Sequence, residues 1–321
     1  MVEQGLGKMD VAVGVDVGGS FVKVGLVGKN GRLLARHVFP TEKEKGFSHL
    51  ITVLEDAIVK LLKENSVSGQ HVRGVGLGLP AFLDARGYLH EAVNLGWRQV
   101  PVLELLASRF PWPVQVDNDA NLAALAEAWQ GNGRGKNPLL CLTIGTGVGG
   151  GVVVGGRLFH GSSYMAGEIG HLPVSKRLWP CRCGRCGCLE TVGSATGMIR
   201  LANDALDKGV RSLLAEEPVT VEAIFRLARQ GDKLAQAVVD EAGTALSEAL
   251  AMVSVVINPE RVLLGGGVMH VAHQWPKHIQ AKLHNRGLPR AVAHVDVLPA
   301  KFLNDAGMIG AAALFFQTEE D

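Results

Sequence analysis

Two stretches of this chain are written to one plan, and that repetition restricts its fold more than any other feature. From Val11, VAVGVDVGGSFVKVGLVGKNGRLLARHVF runs apolar, turns at Gly18-Gly19, runs on, turns again at Asn30-Gly31 and runs a third time. Val- and Leu-rich runs separated by Gly-Gly or Asn-Gly read as strand, hairpin, strand, hairpin, strand. From Leu139, LLCLTIGTGVGGGVVVGGRLFHG repeats the pattern. Between and after these meanders, helical apolar spacing covers 47–64, 103–110, 121–130, 221–228, 233–257 and 305–316, while 72–79, 114–116 and 261–264 read as strands. Strands alternating with helices predict a mixed α/β architecture. A length of 321 residues accommodates about two domains at roughly 100–200 residues each. The repeat makes them two related α/β halves.

Charge and hydropathy remove several classes of partner. Lys and Arg number 32 against 31 Asp and Glu, with no long basic run. A polyanion partner needs a basic footprint, so nucleic acid is not expected. The start, MVEQGLGKMD, has no apolar core of a signal peptide. The most apolar long stretch, 242–257, is broken by Thr244, Ser247, Glu248 and Ser254 and is shorter than a membrane span. It reads as a buried helix, so no membrane partner is expected. Four of the five cysteines fall between Cys181 and Cys188. An odd count without a secretion signal points to a reducing cytoplasm and a metal, not to disulfides.

The glycine hairpins are candidate phosphate cradles. In Asp16-Val17-Gly18-Gly19-Ser20 a strand ends in a carboxylate, and two glycines lacking Cβ let N–H groups approach a phosphate. Ser20 adds a hydroxyl, and Asp16 is suited to hold a water on Mg²⁺. The second hairpin, Gly145-Thr146-Gly147 through Gly151, contains a formal G-x-G-x-x-G. A dinucleotide fingerprint must open a helix, whereas VVVGGRLF follows here, so that reading fails. Gly135-Lys136-Asn137 likewise lacks the Ser/Thr and spacing of a Walker loop. Gly265-Gly266-Gly267, after the strand RVLL, would either let a base or ribose lie on the backbone or serve close strand–helix packing.

Asp117-Asn118-Asp119-Ala120-Asn121 stands before a helix, where Asp and Asn are good caps. More polar groups are present than capping needs. A carboxylate there stays ionised in the helix dipole and is suited to accept a proton from a hydroxyl. His171 and Cys181-x-Cys183-Gly-x-Cys186-Gly-Cys188 offer five ligands for the four places of tetrahedral zinc. Spacing alone leaves Cys186 and Cys188 in competition. Glu168 and Glu190 flank the cluster and are suited to accept hydrogen bonds from several hydroxyls.

Together these motifs are a recognisable set. DVGGS at 16–20, GLGLPAFLD at 76–84, NLGW at 94–97, DNDAN at 117–121, TIGTGVGGG at 143–151, GEIGH at 167–171, CRCGRCGCLE at 181–190 and LGGGV at 264–268 run nearly end to end. The chain resembles the ROK family of sugar kinases and repressors. The resemblance implies an actin-like ATPase (ribonuclease H-like) fold of two α/β domains around a cleft. It places one domain at 1–118 plus 305–321 and a larger one at 119–304. It makes Asp119 the catalytic base and puts Asn94, Asn118, Asp119, Glu168, His171 and Glu190 on the sugar. ATP would meet Asp16, Gly18, Gly19, Ser20, Lys23, Gly145, Thr146, Gly147, Gly265, Gly266 and Gly267, with Mg²⁺. Structural zinc would be held by His171, Cys181, Cys183 and Cys188, with Cys186 outside the set. Family repressors carry an added N-terminal helix-turn-helix, for which about ten residues before the first strand leave no room. NLGW and the complete cysteine motif are most similar to the glucokinases. That implies a cytoplasmic homodimer or tetramer that phosphorylates glucose at its 6-hydroxyl. The alternatives are another hexose or amino sugar as acceptor, or a non-catalytic sugar-responsive regulator.

Overall fold

Residues 9–316 are described by the computed structural model of the chain. The outermost positions of the N-terminal reading and of the domain assignment, 1–8 and 317–321, lie outside the described residues. The chain divides into two units, 1–134 with 156–166 and 304–321, and 135–155 with 167–303.

In the first unit the meander is β1 (Val11–Val17), β2 (Phe21–Gly28) and β3 (Leu33–Pro40). Helix α1 (Phe47–Glu64) follows, and then β4 (Val72–Leu79). A small antiparallel sheet of β5 (Phe82–Leu83), β6 (Leu89–Ala92) and β7 (Trp97–Val100) leads through α2 (Val102–Ala107) to β8 (Val114–Asn118) and α3 (Asp119–Gln130). The short β11 (Arg157–Leu158) and α10 (Ala306–Ala313) also belong here. The main sheet has the order β3-β2-β1-β4-β8, antiparallel along the meander and parallel from β1 through β4 to β8. Leu50, Leu54, Ile58 and Leu61 of α1 fill one core with Val13, Val15, Val24 and Leu77 of the strands.

Helix α10 is pressed so closely on this sheet that only glycine serves in several places. A Cβ at Gly14 or Gly76 would run into the Met308 or Ala311 carbonyl, and one at Gly310 into the Leu122 carbonyl. Leu122 and Leu125 of α3 share a core with Ala311 and Ala313 of α10. Helix α3 therefore lies in the first unit, whereas the sequence reading put the domain boundary in front of it, at 118/119. Strand-to-helix punctuation marks that place in the sequence, but the partner that claims α3 comes at the far end of the chain. Gly310→Ala must push the two helices apart, and overpacking of this kind costs about 1–3 kcal/mol. A fall in the thermal midpoint by several degrees is expected, and an unchanged melt would remove this packing argument.

The second unit repeats the plan. Strands β9 (Leu139–Ile144) and β10 (Val148–Val154) pair antiparallel, and β12 (Arg261–Gly265) and β13 (Asp296–Pro299) extend from β9 in parallel. Helices α4 (Glu190–Gly193), α5 (Ala195–Asp207), α6 (Val221–Arg229), α7 (Lys233–Val256), α8 (Trp275–Arg286) and α9 (Pro289–Val292) complete it. Met198, Ile224, Leu246, Leu250 and Ile279 pack with Leu140, Leu142, Val262 and Leu264. The apolar stretch 242–257 is the second half of α7. Its Ser247 and Ser254 hydroxyls donate to the Thr244 and Leu250 carbonyls of the same helix, so they are buried with partners. Among the described residues no helix is long and apolar enough to cross a membrane. The helix expected directly after the triple glycine is instead a 3₁₀ turn, Gly267–His270, and α8 starts only at Trp275, with Pro276 in its first turn.

Candidate functional site

The first glycine hairpin is held from behind. Gly18 N–H donates to the Phe21 carbonyl at 2.9 Å, closing the turn, so Gly19 and Ser20 present the exposed part of the loop. The buried Thr41 pins it twice: its hydroxyl donates to the Gly18 carbonyl at 2.7 Å and its N–H to the Ser20 carbonyl at 3.0 Å. Asp16 faces the start of α10, where a Cβ at Gly307 would lie 2.6 Å from its carboxyl carbon. Lys23 donates to Asp16 at 3.0 Å and to the Asn304 carbonyl at 2.8 Å, tying strand, carboxylate and helix start together.

Beside this hairpin, Lys43, Glu44, Gly46 and residues 93–97 line a cavity of about 440 Å³. Lys43 donates to the Asn94 carbonyl at 3.1 Å, and the Trp97 indole N–H to the Lys43 carbonyl at 2.9 Å. These bonds hold the NLGW turn, and with it Asn94, against the loop after β3.

At the β8–α3 junction, Asn118 caps the helix, its Oδ1 accepting the N–H groups of Ala120 at 2.8 Å and Asn121 at 3.3 Å. The cap lets α3 begin at Asp119, two residues earlier than the apolar pattern predicts. Asp119 is therefore half-buried in the first helical turn, with Oδ1 accepting Ala120 N–H at 2.9 Å. Asn94, Asn118 and Asp119 belong to the first unit; Glu168, His171 and Glu190 to the second.

In the second unit, the hairpin after β9 closes through Gly145 N–H to the Gly147 carbonyl at 3.0 Å. Its carbonyls at 145 and 146 accept Ala195 N–H at 2.8 Å and the Thr196 hydroxyl at 2.5 Å, which ties it to the start of α5. Gly147 must lack a Cβ because the Glu190 carboxylate fills its place: a Cβ there would sit 2.8 Å from Glu190 Oε2. The other Glu190 oxygen accepts from Cys181 Sγ at 3.1 Å. Glu190 thus stands between the cysteine loop and the glycine hairpin. Gly147→Ala should turn the Glu190 carboxylate aside; if Glu190 meets the sugar as the family resemblance implies, a several-fold rise in the sugar KM with little change in the melt is the expected result.

His171, Cys181, Cys183 and Cys188 bring one ligand atom each within 4.8 Å of one another. Cys183 and Cys188 sulfurs are 3.6 Å apart, as are Cys181 Sγ and His171 Nδ1. Zinc–sulfur bonds of about 2.3 Å require tetrahedral neighbours at roughly 3.8 Å, so this donor set fits the ion. Cys186 is exposed and outside the group. With Nδ1 turned to the cysteines, His171 Nε2 points to Glu168 Oε2 at 3.7 Å. Burial raises the Glu168 carboxyl above its ordinary range, with the Glu190 charge adding to it and His171 opposing. A bound dication would pull it back down.

The loop has a second, metal-free anchor. Arg177 grips Glu241 of α7 through Nε at 2.6 Å and Nη2 at 3.0 Å, and Asp204 of α5 through Nη1 at 3.0 Å. The guanidinium carbons of Arg177 and Arg200 lie 5.1 and 4.2 Å from the centre of the Trp179 ring. The triple glycine divides: Gly266, at φ 83, abuts the Ile144 backbone and is required for packing, while Gly267 is open. Thr41, Lys43 and Arg177 are absent from the residues that motifs single out. Each acts through backbone or partners distant in sequence, and their spacing carries no signal.

The model of the ROK family matches residues 12–318. The glucokinase of Halalkalibacterium halodurans is 39% identical over 314 residues, covering 96% of this chain and 95% of that protein. The glucokinase of Thermotoga maritima is 35% identical, with 94% and 96% covered. Among solved structures, a ROK family glucokinase from Streptomyces griseus, in complex with glucose and AMPPNP, matches with a TM-score of 0.76 at 28% identity, over 95% of this chain and 98% of that one.

Proposed function

The chain belongs to the ROK family of the actin-like ATPase fold, and on that footing we propose that it is a glucokinase, transferring the γ-phosphoryl of ATP to the 6-hydroxyl of glucose. The observation that carries the chemistry is Asp119: a half-buried carboxylate on the first turn of α3, in the same unit as a Thr41-pinned glycine hairpin. The similarity to glucokinases over nearly their whole length supports the choice of sugar.

In this reading Asn94, Asn118, Glu168, His171 and Glu190 take the ring hydroxyls of the sugar. Asp119 orients the 6-hydroxyl, and its oxygen attacks the γ-phosphorus as the proton passes to the carboxylate and ADP leaves. Phosphoryl transfer has a loose transition state, so positioning and charge stabilisation supply most of the rate. Gly19 and Ser20 from one hairpin and Thr146 and Gly147 from the other supply N–H and hydroxyl donors to the phosphates and Lys23 an ammonium, while Gly18 and Gly145 close the two turns and let the backbone come near. Gly265, Gly266 and Gly267 are assigned to the adenosine, with Gly267 exposed and Gly266, at φ 83, also shaping the turn. Asp16 would hold Mg²⁺ through water, which neutralises charge on the phosphates. Zinc on His171, Cys181, Cys183 and Cys188 would be structural, all four ligands coming from protein.

A coupled ADP-release assay over glucose, mannose, fructose, N-acetylglucosamine and N-acetylmannosamine tests this. Glucose should have the highest kcat/KM. Binding of glucose without turnover would overturn it in favour of a regulator, and ADP release that does not depend on sugar would overturn it in favour of an ATPase.

A further inference from the structure

We propose that His160 is a positioning residue for the base: through Asp117 it fixes the β8–α3 junction on which Asp119 stands. The inference rests on the assignment of Asp119 above. No motif marks His160, which lies just after β11 and well along the chain from the junction. Its Nε2 nevertheless meets Asp117 Oδ2 at 2.6 Å.

Asp117 is buried, 7% exposed, and its carboxylate is shared out completely. Oδ1 accepts Asn118 N–H at 2.7 Å and the Asn121 side-chain amide at 2.9 Å. Oδ2 is left to His160, its sole donor among the described residues. A buried carboxylate oxygen without a donor is costly, so removal of the imidazole must make the group rotate or admit water. Either movement disturbs Oδ1, and with it the backbone N–H of Asn118 and the amide of Asn121. Those two residues flank Asp119 and carry the cap that orients the first turn of α3. A catalytic base misplaced by a fraction of an ångström loses rate although its chemistry is unchanged.

The imidazole is itself held in place. The Tyr164 ring stacks on it, centroids 4.5 Å apart and planes 22° from parallel. His160 also accepts Ala166 N–H on its carbonyl at 3.0 Å. Tyr164 keeps φ at 61°, a left-handed value that a bulky side chain rarely takes, and Gly161 at 71° makes the turn that brings the ring back. The backbone is thus bent to place an aromatic ring on a histidine whose far side grips Asp117.

The ring and the donor can be separated by substitution. His160→Phe keeps the stack and loses the donor. His160→Gln loses the ring but carries an amide nitrogen four bonds from Cα, where Nε2 was; His160→Asn carries it one bond short. Each variant is assayed for kcat, for glucose and ATP KM and for its melt, beside Asp119→Asn and the double variant with His160→Phe.

The expected result is a kcat lowered roughly 10- to 100-fold in Phe and Asn, the worth of one hydrogen bond to a buried carboxylate, with Gln close to the parent. The ATP KM should not move, and His160→Phe should add almost nothing once Asp119 is already Asn. Full activity in His160→Phe with Asp119→Asn inactive would overturn this inference and leave the assignment of Asp119 standing. The same fold-loss in both backgrounds would also overturn it, because His160 would then act independently of the base. An active Asp119→Asn would sink the assignment and, with it, the role of His160.

Discussion

Asp119→Asn should bind glucose almost as the parent does and turn it over about 10²–10⁴ times more slowly, the usual loss when a general base is removed. The substitution keeps the size of the side chain and an oxygen able to accept Ala120 N–H, the contact that Oδ1 makes now at 2.9 Å. Asn118 still caps α3 and its amide nitrogen still donates to the Ala81 carbonyl, so the helix start stays where it is. What disappears is a group that can take the proton of the attacking hydroxyl. Steady-state kinetics combined with glucose titration by calorimetry or tryptophan fluorescence separates the two effects. Turnover near that of the parent would refute the assignment of the base.

Removal of zinc should raise the glucose KM by roughly 10-fold or more, as the two carboxylates proposed to accept sugar hydrogen bonds lose their setting. Glu190 lies two residues after the ligand Cys188, and Glu168 stands 3.7 Å from the ligand His171 and three residues before it, so both are set by the segments that carry the ligands. The second unit should not unfold with the metal. Arg177 still holds the loop to α5 and α7 through Asp204 and Glu241, and Trp179 stays between two guanidinium groups. Far-UV circular dichroism should be nearly unchanged after chelation while the melt moves down. Combining chelation with Arg177→Ala should collapse the loop and lower the melt further. Metal release should also follow pH. Burial pushes the Cys181 and Cys188 thiols up, so the metal-free protein keeps their protons at neutrality and zinc must displace them. Affinity therefore falls as pH falls, which a chromophoric chelator can follow. An unchanged glucose KM in metal-free protein would sink the bracing argument.

The resemblance that led to these residues was legible because its motifs are local. A glycine turn between β-branched runs announces a hairpin, and β1–β2 and β9–β10 are where the pattern puts them. Cysteines packed into eight residues announce a metal, whatever the surrounding fold. What the motifs missed or left open has a different character. The boundary in front of α3 failed to anticipate Gly310, whose missing Cβ lets α10 close onto Leu122. The triple glycine left a nucleotide surface and close packing both open, and at Gly266 the Ile144 backbone supplies the close packing. Neither contact leaves a trace at the residue's own position, since each depends on an atom supplied from far along the chain.

By itself, then, the sequence determined the elements, the two-fold repeat of hairpin and parallel strands, and the kinds of chemistry on offer, because propensity, turn geometry and ligand type act over a few residues. Tertiary structure alone decided the matters of partnership. It gave α3 to the first unit and set His160 on Asp117; the choice of Cys188 over Cys186, which spacing left open and the family resemblance anticipated, it made visible. These are contacts between residues that chain closure must first bring together, and the strength of a buried hydrogen bond or a close backbone approach depends on where the partner finally lies.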